Sequence, residues 1–180
     1  MRNLARVCLI AVLCSGFELA VSHPGFATDK GQARKSVTAQ DQDNEEQNKQ
    51  IVRQIFDDLW SRGHYELIDR LYSPNCIVHS PGLKGNSLNE AVEEGKSFRT
   101  AAPDVKIIAN KIQVHKDIVT VEWTATGKNS GRGDGIPATG KSVRIRGNST
   151  FRLANGKILE VTNNYDQNEL FRQLGVNPRK

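Results

Sequence analysis

Residues 142–165 read SVRIRGNSTFRLANGKILEVTNNY, and this stretch decides the fold. Its first half alternates. Val143, Ile145, Gly147, Ser149 and Phe151 fall on one face of an extended chain, and Arg144, Arg146, Asn148, Thr150 and Arg152 fall on the other. Asn155-Gly156 is a strong two-residue hairpin signal, because both positions tolerate the positive φ that a tight turn between twisted strands needs. A regular ladder through that turn pairs Ile145 with Asp166, Gly147 with Asn164, Ser149 with Thr162 and Phe151 with Glu160. The shared face is then partly apolar and partly able to hydrogen-bond. A carboxylate set against apolar groups loses hydration in its charged form, which suits it to general acid/base work. Asp166 is therefore a candidate proton-transfer group. From geometry alone, the run Asp166-Gln167-Asn168-Glu169 fits better as the N-cap and first turn of a helix.

Working back along the chain, Val105–Val114 and Ile118–Thr126 read as two further strands joined by the turn His115-Lys116-Asp117. Val119, Val121 and Trp123 share one face of the second. A glycine-rich loop, Lys128 to Thr139, separates it from the opening stretch. Helices precede the strands. Ile51, Val52, Ile55, Phe56, Leu59 and Trp60 recur at helical spacing, with Asp43 or Asn44 as cap and Gly63 as stop. Leu67, Ile68 and Leu71 mark a short second helix ending at Pro74, and a short strand runs from Ile77 to His79. Ser87 and Glu90 have capping-box spacing at the head of a third helix, which Pro103 closes; Leu170, Phe171 and Leu174 mark a short terminal helix. Helices followed by an antiparallel meander give an α+β class. A curved sheet covered by helices on one side leaves a cavity at its wide end, where small molecules commonly bind.

The N-terminus reads differently. Arg2 and Arg6, an apolar run Val7–Leu13 and the later small residues Gly25-Phe26-Ala27 have the layout of a secretory signal cleaved after Ala27. The expected product is exported, periplasmic or secreted, with no membrane segment after signal removal. The polar stretch 28–44 reads as a flexible linker, and 45–177 as one domain. Losing two arginines and one glutamate takes the formal charge from +5 to +4, scattered along the chain, which gives no stripe for nucleic acid. Cys76 is then the one cysteine left, between Asn75 and Ile77, and reads as a buried apolar residue. His64, His79 and His115 lack paired metal-ligand spacing. Arg132-Gly133-Asp134 spells an adhesion tripeptide that arises readily by chance.

The stretches NKQIVRQIFDDLWSRG (48–63), IVHSPG (77–82), FRTAAPDVKI (98–107), VEWTATGKNSG (121–131), GIPATGKSV (135–143), FRLANGKILE (151–160) and NNYDQNELFRQLG (163–175) follow one another in an order that resembles the SnoaL-like family of polyketide cyclases and predicted ester cyclases. The resemblance implies a nuclear transport factor 2-like cone: a curved, mainly antiparallel but mixed β-sheet with three N-terminal helices enclosing a pocket, usually a homodimer packed through its sheet. It implies Asp166 as the acid/base of an aldol-type ring closure and His79 as a second pocket residue, with no metal or organic cofactor. Trp60, Trp123, Asn129, Ile145, Ser149, Phe151, Thr162 and Asn164 complete the expected ligand-binding set. Asn129 stands where the family commonly has histidine, Thr162 where it has a pocket tryptophan, and Ala138 where it has proline. Those departures favour a smaller apolar or carbonyl-containing ligand over a polycyclic aromatic one. The two functional readings are acid/base conversion of such a compound and its binding without chemistry.

Overall fold

The computed structural model describes residues 38–133 and 136–176. The expected signal, most of the linker, and Asp134 of the adhesion tripeptide lie outside the described residues. The first helix, α1 (Ala39–Gln54), begins inside the stretch read as linker. Its cap is Thr38, whose hydroxyl accepts from the Asp41 amide while Asp41 reaches back to Thr38, so neither Asp43 nor Asn44 serves. The helix continues as a wider π-type segment, Ile55–Trp60, and ends at Gly63, φ +80°. A single turn, Tyr65–Leu67, leads into α2 (Ile68–Leu71).

Strand β1 (Tyr72–His79) starts earlier than the sequence predicts and contains Pro74. The reason is position. β1 is an edge strand in a five-stranded sheet of order β1-β5-β4-β3-β2, and an edge tolerates a residue with no backbone donor. Helix α3 (Leu88–Ala101) is capped by Ser87, whose hydroxyl accepts from the Glu90 amide. The box is not reciprocal, because the Glu90 carboxylate instead accepts from the amides of Lys84 and Gly85. β2 (Lys106–His115), β3 (Ile118–Lys128), β4 (Ser142–Ala154) and β5 (Lys157–Tyr165) pair antiparallel in turn, and β1 joins β5 in parallel. Helix α4 (Gln167–Leu174) closes the domain, ending at Gly175 in the left-handed region.

The core lies between α1 and the inner face of this curved, open sheet. Val52, Ile55 and Leu59 are fully buried, against Val119, Val121, Leu153 and Ile158. Phe56 meets Phe151 edge-on with ring centres 6.0 Å apart. Each such side chain contributes about 1.5–3 kcal/mol by leaving water, so the stripe on α1 is the main tie between helix and sheet. A second cluster, Val143, Ile145, Leu170 and Leu174, seats α4 on the other end of β4.

The hairpin turn is as predicted: Asn155 and Gly156 both have positive φ, 51° and 72°. The ladder beyond it is not regular. Ala154 pairs with Lys157 and Leu153 with Ile158, but then the register shifts, and Arg152 pairs with Glu160, Phe151 with Val161, Ser149 with Asn163 and Gly147 with Tyr165. Leu159 is the extra residue of a β-bulge. One inserted residue turns every later side chain on that strand to the opposite face. Val161, Asn163 and Tyr165 therefore face inward, and Glu160, Thr162 and Asn164 face outward.

Candidate functional site

The inner sheet face is built in cross-strand rows. Val119, Phe151 and Val161 form the first, Val121, Ser149 and Asn163 the second, and Trp123, Gly147 and Tyr165 the third. Above these rows, α3 presents Ala91, Glu94, Gly95, Phe98 and Ala101 at helical spacing, and α4 presents Gln167, Leu170, Phe171 and Leu174. Together they enclose a pocket of about 240 Å³. That is near the lower end for small-molecule sites, roughly 300–1,000 Å³. Its wall is mostly aromatic and aliphatic, with Phe56, Trp60, Phe98, Ile145 and Phe151 prominent.

Two tryptophans are fitted against glycines. A Cβ on Gly147 would lie 2.3 Å from the Trp123 ring, and a Cβ on Gly95 would lie 2.3 Å from the Trp60 ring. The glycines admit the indoles to the pocket wall. Trp123 also stands against Tyr165, ring centres 6.0 Å apart.

The polar groups are fewer and ordered. Trp123 Nε1 donates to Ser149 Oγ at 2.8 Å, and Ser149 Oγ donates to Asn163 Oδ1 at 2.7 Å. An indole N–H is donor only, so the serine must accept from it and can pass its single proton on to the asparagine carbonyl. That order leaves the Asn163 amide nitrogen as the donor available to a ligand. Ser149 is 3 % exposed, so the relay is shielded from solvent competition. Tyr72 is buried in the wall, and burial holds its phenol well above the usual range, so it stays neutral. Glu94, from α3, is the single carboxylate among the described residues that line the pocket.

Of the expected site residues, Trp60, Trp123, Asn129, Ile145, Ser149 and Phe151 line this pocket. Asn129 does so with its polar atoms already committed. Its side-chain nitrogen donates to the carbonyls of Ala101 and Gly131, and its oxygen accepts from the Thr139 amide and hydroxyl. It organises the 128–141 loop and ties it to the end of α3.

The structure corrects four expectations. Thr162 and Asn164 face away from the pocket because of the bulge at Leu159; Asn164 instead donates to Asn148 on the outer face. His79 follows Val78, which lines the pocket, and so points outward, where its Nε2 stands 3.6 Å from Glu160. Asp166 is exposed and caps α4, its carboxylate accepting from the Glu169 amide at 3.0 Å. It is not among the residues lining the pocket. The residues missed were Asn163, Tyr165 and Glu94. For the first two, the signal was Ile158 and Val161, both apolar at a spacing of three, which a regular strand cannot bury on one face. For Glu94 it was the helical spacing to Ala91 and Phe98.

Among the described residues, no group of three or more histidine, cysteine, aspartate or glutamate side chains is placed to hold a metal ion, and no helix is long and apolar enough to cross a membrane.

A curved, open sheet with helices over one face, and a small apolar pocket between them, defines a nuclear transport factor 2-like fold. The chain belongs to the SnoaL-like polyketide cyclase family, whose model matches residues 50–174. Similar solved structures include a protein assigned as a SnoaL-like polyketide cyclase in Jannaschia sp. CCS1, with 21% identity and TM-score 0.67, covering 82% of this chain and 100% of that one. AclR of Streptomyces galilaeus, assigned as a hydroxylase, has 22% identity and TM-score 0.66 over 76% of this chain and 85% of its own. A protein assigned as a polyketide cyclase in Acidithiobacillus ferrooxidans has 25% identity and TM-score 0.64, over 72% and 94%. No curated protein matches the chain.

Proposed function

We propose that this protein binds a small, mainly apolar carbonyl compound in the pocket, with the carbonyl oxygen held by the Asn163 amide nitrogen. The observation that carries this reading is the Trp123–Ser149–Asn163 relay inside an otherwise apolar wall. A buried, pre-oriented donor selects for an acceptor on the ligand, since an unpaired polar group there is costly. The pocket's size favours one or two fused rings over a polycyclic ligand. Membership of the polyketide cyclase family supports conversion of the bound compound by acid/base chemistry. The exposed, capping position of Asp166 argues against that residue as the agent. The test is a titration of intrinsic tryptophan fluorescence with small ketones, 2-tetralone among them, because Trp60 and Trp123 both line the pocket. Saturable binding that weakens about 2–10-fold in Asn163→Leu supports the reading, the loss expected for one neutral hydrogen bond. Equal binding by that variant would remove the assigned role of Asn163.

The reading also takes the protein as exported and as a homodimer through its sheet. It rests on the signal-like residues 1–27 and on the family resemblance. Mass spectrometry of the protein from its native host tests export, with a mature chain beginning at Thr28 as the expected result. Sedimentation tests the dimer.

A further inference from the structure

We propose that Glu94 is the group that moves protons on the bound compound, a catalytic role in the same pocket that rests on the small-molecule reading above. Three observations converge on it. Glu94 lines the cavity with Asn163, whereas Asp166 caps α4 in solvent and Glu160 is on the outer face of the sheet. Its helix places it between Ala91 and Phe98, on the face that covers the pocket. The loop after β1 is shaped around it. Gly82, at φ +100°, passes so close that a Cβ there would lie 2.9 Å from Glu94 Oε1 and 2.6 Å from Gln167 Nε2. Tyr165 pins that loop by donating its hydroxyl to the Pro81 carbonyl at 2.8 Å. A carboxylate, an amide from α4 and the Ser80 side of the loop thus meet at one end of an apolar cavity.

With the carbonyl oxygen on the Asn163 amide, the proposal puts the adjacent carbon of the ligand within reach of Glu94, which lines the same cavity. The Glu94 carboxylate takes the proton from that carbon. The C–H electrons form the carbon–carbon double bond of the enolate, and the carbonyl π electrons move to the oxygen, where the amide N–H stabilises the charge. The carboxylic acid then returns its proton to carbon, or gives it to the oxygen of a second carbonyl that the enolate carbon has attacked. Glu94 ends as it began, and no other reactant is required.

The experiment follows exchange of the α-hydrogens of 2-tetralone for deuterium in D₂O by proton NMR, with tryptophan fluorescence measuring its binding in parallel. Wild-type protein exchanges faster than buffer. Glu94→Gln loses at least about tenfold of that acceleration while binding within about threefold of wild type, and Asp166→Asn keeps the wild-type rate. Should the glutamine variant fail to fold, Glu94→Asp carries the test. It moves the carboxylate by about one ångström, which is enough to cost tenfold or more in rate with binding retained. Wild-type exchange in the Glu94 variants overturns the assignment, and so does loss of exchange in Asp166→Asn alone. Wild-type protein that binds 2-tetralone but exchanges it at the buffer rate overturns the assignment and leaves the binding reading intact. Failure to bind 2-tetralone overturns both.

Discussion

Ser149 and Asn163 face each other across β4 and β5, and the serine hydroxyl donates to the asparagine side-chain oxygen at 2.7 Å. The pairing exists because the strand slips by one residue at Leu159. Ser149→Ala removes both the acceptor for the Trp123 indole and the donor for Asn163. The expected cost is about 1–3 kcal/mol of stability, since the indole N–H is left unpaired. Urea denaturation followed by circular dichroism measures it, and ketone binding should weaken in parallel because the asparagine is no longer held.

Gly147 is the neighbour of this pair, and Trp123 occupies the space its side chain would need. Gly147→Ala pushes the indole out of place, since the nearest ring atom is 2.3 Å from the new methyl and the Asn164 carbonyl 2.7 Å. Overpacking of this kind costs about 1–3 kcal/mol. Shifted tryptophan emission, together with a lower urea midpoint, is the expected result. An unshifted spectrum would show that the ring does not sit against Gly147.

Asn129 holds the 128–141 loop through four side-chain hydrogen bonds. Asn129→Ala frees the loop from the end of α3. Limited proteolysis should then cut within 130–140 at a rate at least several-fold above wild type, while the helices stay resistant. The same variant should lose about 1–3 kcal/mol of global stability, from the buried groups left without partners.

Cys76 gives a prediction for pH. Burial pushes its thiol from an ordinary 9.0 up to about 11, with the Glu160 carboxylate adding to the effect. The unfolded chain therefore releases this proton at lower pH than the folded one. Stability from this group is intact below pH 9 and falls as pH rises towards about 11, by roughly 2–3 kcal/mol in all. Tyr72, pushed further in the same direction, adds to the loss at higher pH. Denaturation at stepped pH tests the slope, and Cys76→Ala should flatten it. In the native state at pH 8 the thiol should react with disulfide reagents only on unfolding.

Asp166→Ala removes the N-cap of α4 and should cost about 1 kcal/mol, whereas Asp166→Asn, an equally good cap, should cost almost nothing. Thermal unfolding of the two variants separates a capping role from any other.

The sequence by itself determined the elements and the family. The alternation in 142–153 made a half-buried strand, Asn155-Gly156 made its turn, and the stripe from Ile51 to Trp60 made the covering helix, because each is written in a local period. Which face the last strand offers to the pocket was decided only in the tertiary structure. Side chains alternate with a period of two, so a bulge of one residue exchanges inside for outside, and a bulge forms where both Ile158 and Val161 must be buried against the same core. Glu94 and Asn163 line the same pocket for a like reason. They are 69 positions apart, on a helix and a strand that border one apolar space only once the chain is folded.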